Sequence, residues 1–174
     1  MSDSKEIKEL IEDFSFFESW EDKYQYLIDM GRNVPEIADN LKIDENKLKG
    51  CQSVVYFSFF RNNDGTITFV ANSDAAIVQG LIAIMLKVYS GKSPQEILDT
   101  DISFLEKIGL DQHLSPTRKN GLSSLISSIK TTRALGLAVI PSLVSVELMK
   151  SVMMCPSYGA RSTDLLHATI QTRL

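Results

Sequence analysis

The sequence predicts an α+β fold, and three observations carry that prediction. The run Ser53–Phe60 (SVVYFSFF) is β-branched and aromatic, and Asn62-Asn63-Asp64-Gly65 follows it as a turn signal, so a strand turns back on itself at Thr66–Ala71. Apolar residues at helical spacing stand on both sides of this hairpin. The order is therefore helices, hairpin, helices, as in α+β domains, and it fills residues 1–135 without an internal repeat.

The elements follow in order. Ile7, Leu10, Ile11, Phe14 and Phe17 recur at helical spacing and predict an amphipathic first helix. Ser19 is placed to cap a second, with Trp20, Tyr24, Leu27 and Ile28 on one face and Gly31 as its expected stop. Residues 32–50 are polar, contain Pro35 and show no period, which reads as a long surface connection of the kind that often carries function. In the first strand Val55, Phe57 and Phe59 share one face, and Val54, Tyr56 and Phe60 share the other. Both faces are apolar, so helices are expected to cover at least one. Ser73 is expected to cap a buried helix over 74–89 that ends at Ser90-Gly91. Ser93-Pro94-Gln95-Glu96 is a capping box with proline at the first helical position. A helix over about 102–108 stops at Gly109, and Ser115-Pro116 opens the last one, striped by Leu122, Leu125, Ile126 and Ile129.

Residues 136–174 form an extra C-terminal segment of different texture, sparse in charge and punctuated by Pro141 and Pro156. Leu143, Val146, Met149 and Val152-Met153 would line one more helix. Three roles are open to this tail: an added packed element, association into a homodimer, or a poorly ordered extension. The last is the reading for Cys155–Leu174.

Composition excludes several function classes. At 44% hydrophobic and 23% charged residues the chain is of ordinary globular make-up. Its net charge is −4, with no basic run fit for nucleic acid or an anionic membrane. The charge is uneven: residues 1–50 hold 13 acids and 7 bases, and the rest is nearly balanced. Solvated helix faces explain that acidity, and a docking surface for a basic partner is the sharper alternative. No signal peptide is seen in residues 1–20, and the apolar stretch 75–89, interrupted by Gln79, Gly80 and Lys87, is too short for a membrane span of roughly 18 residues. The two cysteines, Cys51 and Cys155, form no CxxC, which excludes a disulfide scaffold and a four-cysteine zinc site and fits a reducing, cytoplasmic setting.

The chemistry centres on Leu48-Lys49-Gly50-Cys51-Gln52-Ser53. A cysteine directly after glycine, at the end of a polar loop and before a strand, is placed for exposure, and Lys47 and Lys49 add local positive charge that favours the thiolate. The same cysteine also fits as a small buried hydrophobe at the strand start. The local sequence favours neither reading.

Gly50-Cys51-Gln52-Ser53-Val54-Val55-Tyr56 resembles the active-site signature of the SufE family of sulfur acceptors. The resemblance continues in Ser19–Tyr24 (SWEDKY), Ser73–Leu81 (SDAAIVQGL), Gln112–Arg118 (QHLSPTR) and Asn120-Gly121-Leu122, in the family's order, and ends near residue 135. It implies a small antiparallel sheet packed by helices, shared with IscU-type scaffolds. It implies a carrier without a cofactor that takes persulfide sulfur from a pyridoxal-phosphate (PLP)-dependent cysteine desulfurase of the SufS type. The carrier stimulates that desulfurase and passes sulfur to an iron–sulfur scaffold of the SufBCD type. It maps the acceptor onto Cys51 and offers Asp74, His113 and Arg118 as further site residues. Arg118 could steady a thiolate or persulfide anion. His113 could act as a base or only fix the loop before Ser115, and Asp74 could be no more than a carboxylate at a helix start. Two rival functions remain: a regulatory binding module that carries no sulfur, and a zinc-binding scaffold-like protein using Cys51, Asp74 and His113.

Overall fold

A computed structural model describes residues 4–134. The expectations for the Leu143–Met153 stripe, for Cys155 and for the order of the tail lie outside the described residues. Two helices open the fold, α1 (Lys5–Ser15) and α2 (Trp20–Arg32). Ile7, Leu10 and Phe14 form the buried stripe of α1. Ser19 caps α2 as expected, its hydroxyl accepting the Asp22 amide at 3.1 Å.

The hairpin is β1 (Val55–Arg61) and β2 (Ile67–Ser73), antiparallel, in register from Val55 opposite Ser73 to Arg61 opposite Ile67. Val55, Ile67, Phe69 and Ala71 are buried on one face of this sheet. On the other, Tyr56, Phe60, Thr68 and Val70 are half-buried. Single bridges extend both edges, Lys47 to Tyr56 and Lys92 to Ile67. The fold is thus a two-stranded antiparallel sheet packed by helices, the α+β class that the sequence predicts.

The central helix is α3 (Ala76–Tyr89), buried almost throughout from Gly80 to Tyr89. It starts later than expected. Ser73 remains the last residue of β2; its amide donates to the Gln79 side chain at 2.7 Å, and its hydroxyl accepts from the Ala75 amide at 3.3 Å. Gln79, a polar interruption in an apolar run, is therefore a tie between helix and strand. Asp74 lies in the turn ahead of the helix.

Gly31 is not the stop of α2. It is buried inside the helix, where a Cβ would stand 2.7 Å from the Gly80 amide nitrogen. At Gly80 a Cβ would stand 2.3 Å from the Leu27 carbonyl oxygen. The two glycines let α2 and α3 cross with their backbones nearly touching.

Beyond α3, α4 (Pro94–Asp99) has both bonds of its capping box, the Ser93 hydroxyl accepting the Glu96 amide at 3.3 Å and the Glu96 carboxylate the Ser93 amide at 2.9 Å. The helix expected over 102–108 is the single turn α5 (Phe104–Lys107), because Asp101 accepts the Ser103 amide and holds 101–103 as a bend. Gly109, at φ +80°, then admits a short helix not foreseen from the sequence, α6 (Leu110–His113). The last described helix, α7 (Pro116–Ala134), buries Leu122, Leu125 and Ile129. No described helix is long and apolar enough to cross a membrane.

Candidate functional site

The loop bearing Cys51 is pinned at its base. The Leu48 amide donates to the Val55 carbonyl at 2.8 Å, and Lys47 bridges to Tyr56. Residues 49–54 therefore bulge out between fixed ends and bring Cys51 near the tip. Gly50 takes φ +87°, a conformation that side chains disfavour. Its α-carbon lies against α7, where a Cβ would meet the Ser124 hydroxyl oxygen at 2.8 Å.

Cys51 is half-buried, between the two positions left open by its local sequence. Its sulfur faces α7 and donates to the Gly121 carbonyl at 3.7 Å, a long contact typical of a weak S–H donor. It lines a cavity of about 630 Å³ between the loop, α3 and α7, whose apolar walls include Val78, Leu81, Ile82, Leu122 and Leu125. Burial pushes the Cys51 thiol above its ordinary range and so favours the protonated form.

The lysines expected to favour a thiolate do not line this cavity. Lys47 pairs with Asp44 at 2.6 Å and stands over the Tyr56 ring, and Lys49 is exposed. Burial thus outweighs the positive charge that the local sequence offers.

Arg118 does line the cavity, half-buried in the first turn of α7. Its amide donates to the Ser115 hydroxyl at 3.4 Å, and no carboxylate among the described residues pairs with its guanidinium. The fold therefore gathers Cys51 and Arg118, 67 positions apart in sequence, around one space.

Asp74 and His113 are not in that space. Asp74 is exposed and accepts a 3.5 Å contact from the Ser73 hydroxyl, although its neighbours Ala75 and Ala76 do reach the cavity. The His113 ring stacks on Trp20 with centroids 3.5 Å apart, and its carbonyl accepts the Tyr24 hydroxyl. Both contacts suit a residue that fixes the turn before Ser115. The ligand set imagined for zinc is not assembled: among the described residues no three His, Cys, Asp or Glu side chains converge as metal ligands do.

The site also uses two residues to which the sequence reading gave no role, Gly121, quoted only within a family block, and Ser124. Gly121 and Ser124 sit one turn apart on the face of α7 that meets the loop. A glycine inside an apolar helical stripe was the available signal, since it costs helix stability unless something must come close.

Comparison with known proteins agrees with this architecture. A sequence model of the SufE family, described as an Fe–S metabolism associated domain, matches residues 8–133. An uncharacterised SufE-like protein of Rhizobium meliloti (strain 1021) is 43% identical over 129 residues, which span 72% of this chain and 92% of that protein. The solution structure of a hypothetical protein from Thermus thermophilus superposes with a TM-score of 0.64 at 18% identity, covering 76% of this chain and 96% of the other, and so shares the fold. On the extent of the family match and the identity to the Rhizobium protein, the chain belongs to the SufE family of iron–sulfur metabolism.

Proposed function

We propose that this protein is a persulfide carrier: Cys51 accepts sulfur from a PLP-dependent cysteine desulfurase of the SufS type, and an iron–sulfur scaffold of the SufBCD type receives it. The observation that supports this most directly is the cavity shared by Cys51 and Arg118, with the thiol near the tip of a loop and turned inward. The transfer is a thiol-exchange step. The Cys51 thiol first gives its proton to solvent or to a group of the donor enzyme. The thiolate then bonds to the outer sulfur of the donor's persulfide, the donor's S–S bond breaks, and the electron pair leaves on the donor's cysteine sulfur. Cys51 ends as a persulfide, and no electrons enter or leave the pair.

The resting geometry suits storage rather than attack. Burial opposes ionisation, so the sulfur must leave the apolar walls before it reacts, and the loop on Gly50 is the element placed to move. After transfer, the apolar walls shield the outer sulfur from small thiols, and the Arg118 guanidinium offers the persulfide anion a counter-charge. Asp74 and His113 fit better as elements of the surrounding surface than as participants. The inward thiol is also what favours the second reading, a regulatory module that binds the desulfurase without carrying sulfur.

Mass spectrometry after incubation with a desulfurase and cysteine separates the two. The carrier gains one sulfur on the Cys51 peptide, removable by reductant. A module that binds the desulfurase but gains no sulfur would sink the carrier reading.

A further inference from the structure

The contact between Cys51 and α7 carries an inference that rests on the carrier reading and deepens it. Gly121 meets the cysteine in two ways. Its carbonyl oxygen accepts the thiol proton, and a Cβ on its α-carbon would stand 3.1 Å from the cysteine sulfur and 3.9 Å from the cysteine Cβ. One turn on, Ser124 meets Gly50 in the same manner. The loop therefore beds on one face of α7, at positions three apart. Gly121 is not at positive φ, so its backbone does not require glycine. Alanine would be the better helix residue there, which leaves close approach of the sulfur as the reason for glycine.

We propose that Gly121 is a positioning residue that distinguishes the empty carrier from the loaded one: its carbonyl and bare α-carbon seat the Cys51 sulfur only while that sulfur bears a proton. The chemistry is specific. A thiolate has no proton to donate, and the carbonyl oxygen opposite repels its charge. In a persulfide the inner sulfur is bonded to carbon and to the outer sulfur, so whichever protonation state the outer sulfur takes, Sγ has no proton for Gly121. Loading thus removes the hydrogen bond that holds the loop on α7, so the cargo lies among the same apolar walls but is released from them more readily.

Few other groups compete for control of this thiol. Arg118, on α7, is the one charged residue lining the cavity among the described residues. On the loop side Lys47 is held by Asp44, and Lys49 and Asp74 are exposed and do not line it.

The test uses the full chain in a Cys155→Ser background, leaving Cys51 as the one thiol. Iodoacetamide modification is followed across roughly pH 7 to 10 for this protein and for its Gly121→Ala variant. The added methyl group displaces the sulfur from its seat, so the variant is expected to react about tenfold faster at neutral pH, with its inflection lowered by about one unit. A glycine that matters only for packing would move the melting temperature and leave both readings where they were; unchanged rate and inflection overturn the proposal. A second arm needs no variant. Inorganic polysulfide gives Cys51 one sulfur atom and leaves as the shorter chain, and amide exchange over residues 49–53 is compared before and after. Faster exchange in the persulfidated protein is expected, and equal exchange overturns the proposal. Neither arm contains a desulfurase, so failure here is distinguishable from failure of transfer by that enzyme.

Discussion

Gly80→Ala tests the contact on which the site is built. The new methyl group would stand 2.3 Å from the Leu27 carbonyl oxygen and 2.6 Å from its Cγ, where ordinary van der Waals contact begins near 3.4 Å. The obstruction is backbone, which cannot rotate aside, so α2 and α3 must separate by about 1 Å. Overpacking of this kind costs about 1–3 kcal/mol, and the upper part of that range applies when backbone must move. Alanine returns about 1 kcal/mol through its better helix propensity. The net expectation is a loss of about 1–2 kcal/mol, or a fall in Tm of roughly 3–6 °C for a chain of this size. The strain also reaches the site, because Ile28 on α2 and Ile77, Val78, Leu81 and Ile82 on α3 line the Cys51 cavity. Urea unfolding is the assay, with a lower midpoint at unchanged slope as the expected result. A variant as stable as the parent, or more so, would show that helix propensity decides this position and that the helices do not touch as described.

Three further outcomes are expected. Arg118→Ala removes a cation that no carboxylate among the described residues pairs, at a helix start where the dipole disfavours it, so stability should stay within about 0.5 kcal/mol while sulfur acceptance slows roughly ten- to hundredfold; a lower melting temperature with unaltered transfer would make Arg118 structural. Burial holds the Cys51 thiol above its ordinary range, so at alkaline pH the unfolded chain gives up a proton that the folded chain keeps, and folding stability falls as pH rises through the gap. Urea midpoints for the parent should accordingly drop relative to those of Cys51→Ser between roughly pH 8 and 10, and parallel curves would contradict the burial. Truncation after Leu135 is expected to leave a folded protein that still accepts sulfur, because the family match ends at residue 133; loss of solubility would assign the tail a covering or associating role.

What the sequence revealed depended on how local the cause was. The hairpin was legible because the turn Asn62–Gly65 and the strands it joins are neighbours. The Ser19 and Ser93 caps were legible because their bonds close within three residues. Gly31 misled because its reason is Gly80, on another helix, and no local rule separates a crossing glycine from a C-cap. Ser73 misled because a strand end and an N-cap draw on the same residue types. Within the site, Lys47 looked available to the thiol, yet Asp44, three residues before it, takes the charge. The family blocks placed Asp74, His113 and Arg118 on an equal footing. Only the fold shows that Arg118 shares a cavity with Cys51, while His113 turns to Trp20 and Asp74 to solvent. The pairing of Gly121 with Cys51 spans 70 positions and could not be read before the chain was folded.

The measurement closest to the central claim is sulfur transfer to Cys51→Ser, run beside a desulfurase pull-down on the same sample. A hydroxyl nearly matches a thiol in size, and at a half-buried loop position the substitution should cost within about 0.5 kcal/mol. Serine is not appreciably ionised at neutral pH, and oxygen is a far poorer nucleophile toward sulfur, so no persulfide can form at position 51. The account predicts a folded variant that still binds the desulfurase and gains no sulfur, since affinity rests on a wider surface than one side chain. A variant that still gains sulfur would contradict it and leave Cys155 as the acceptor.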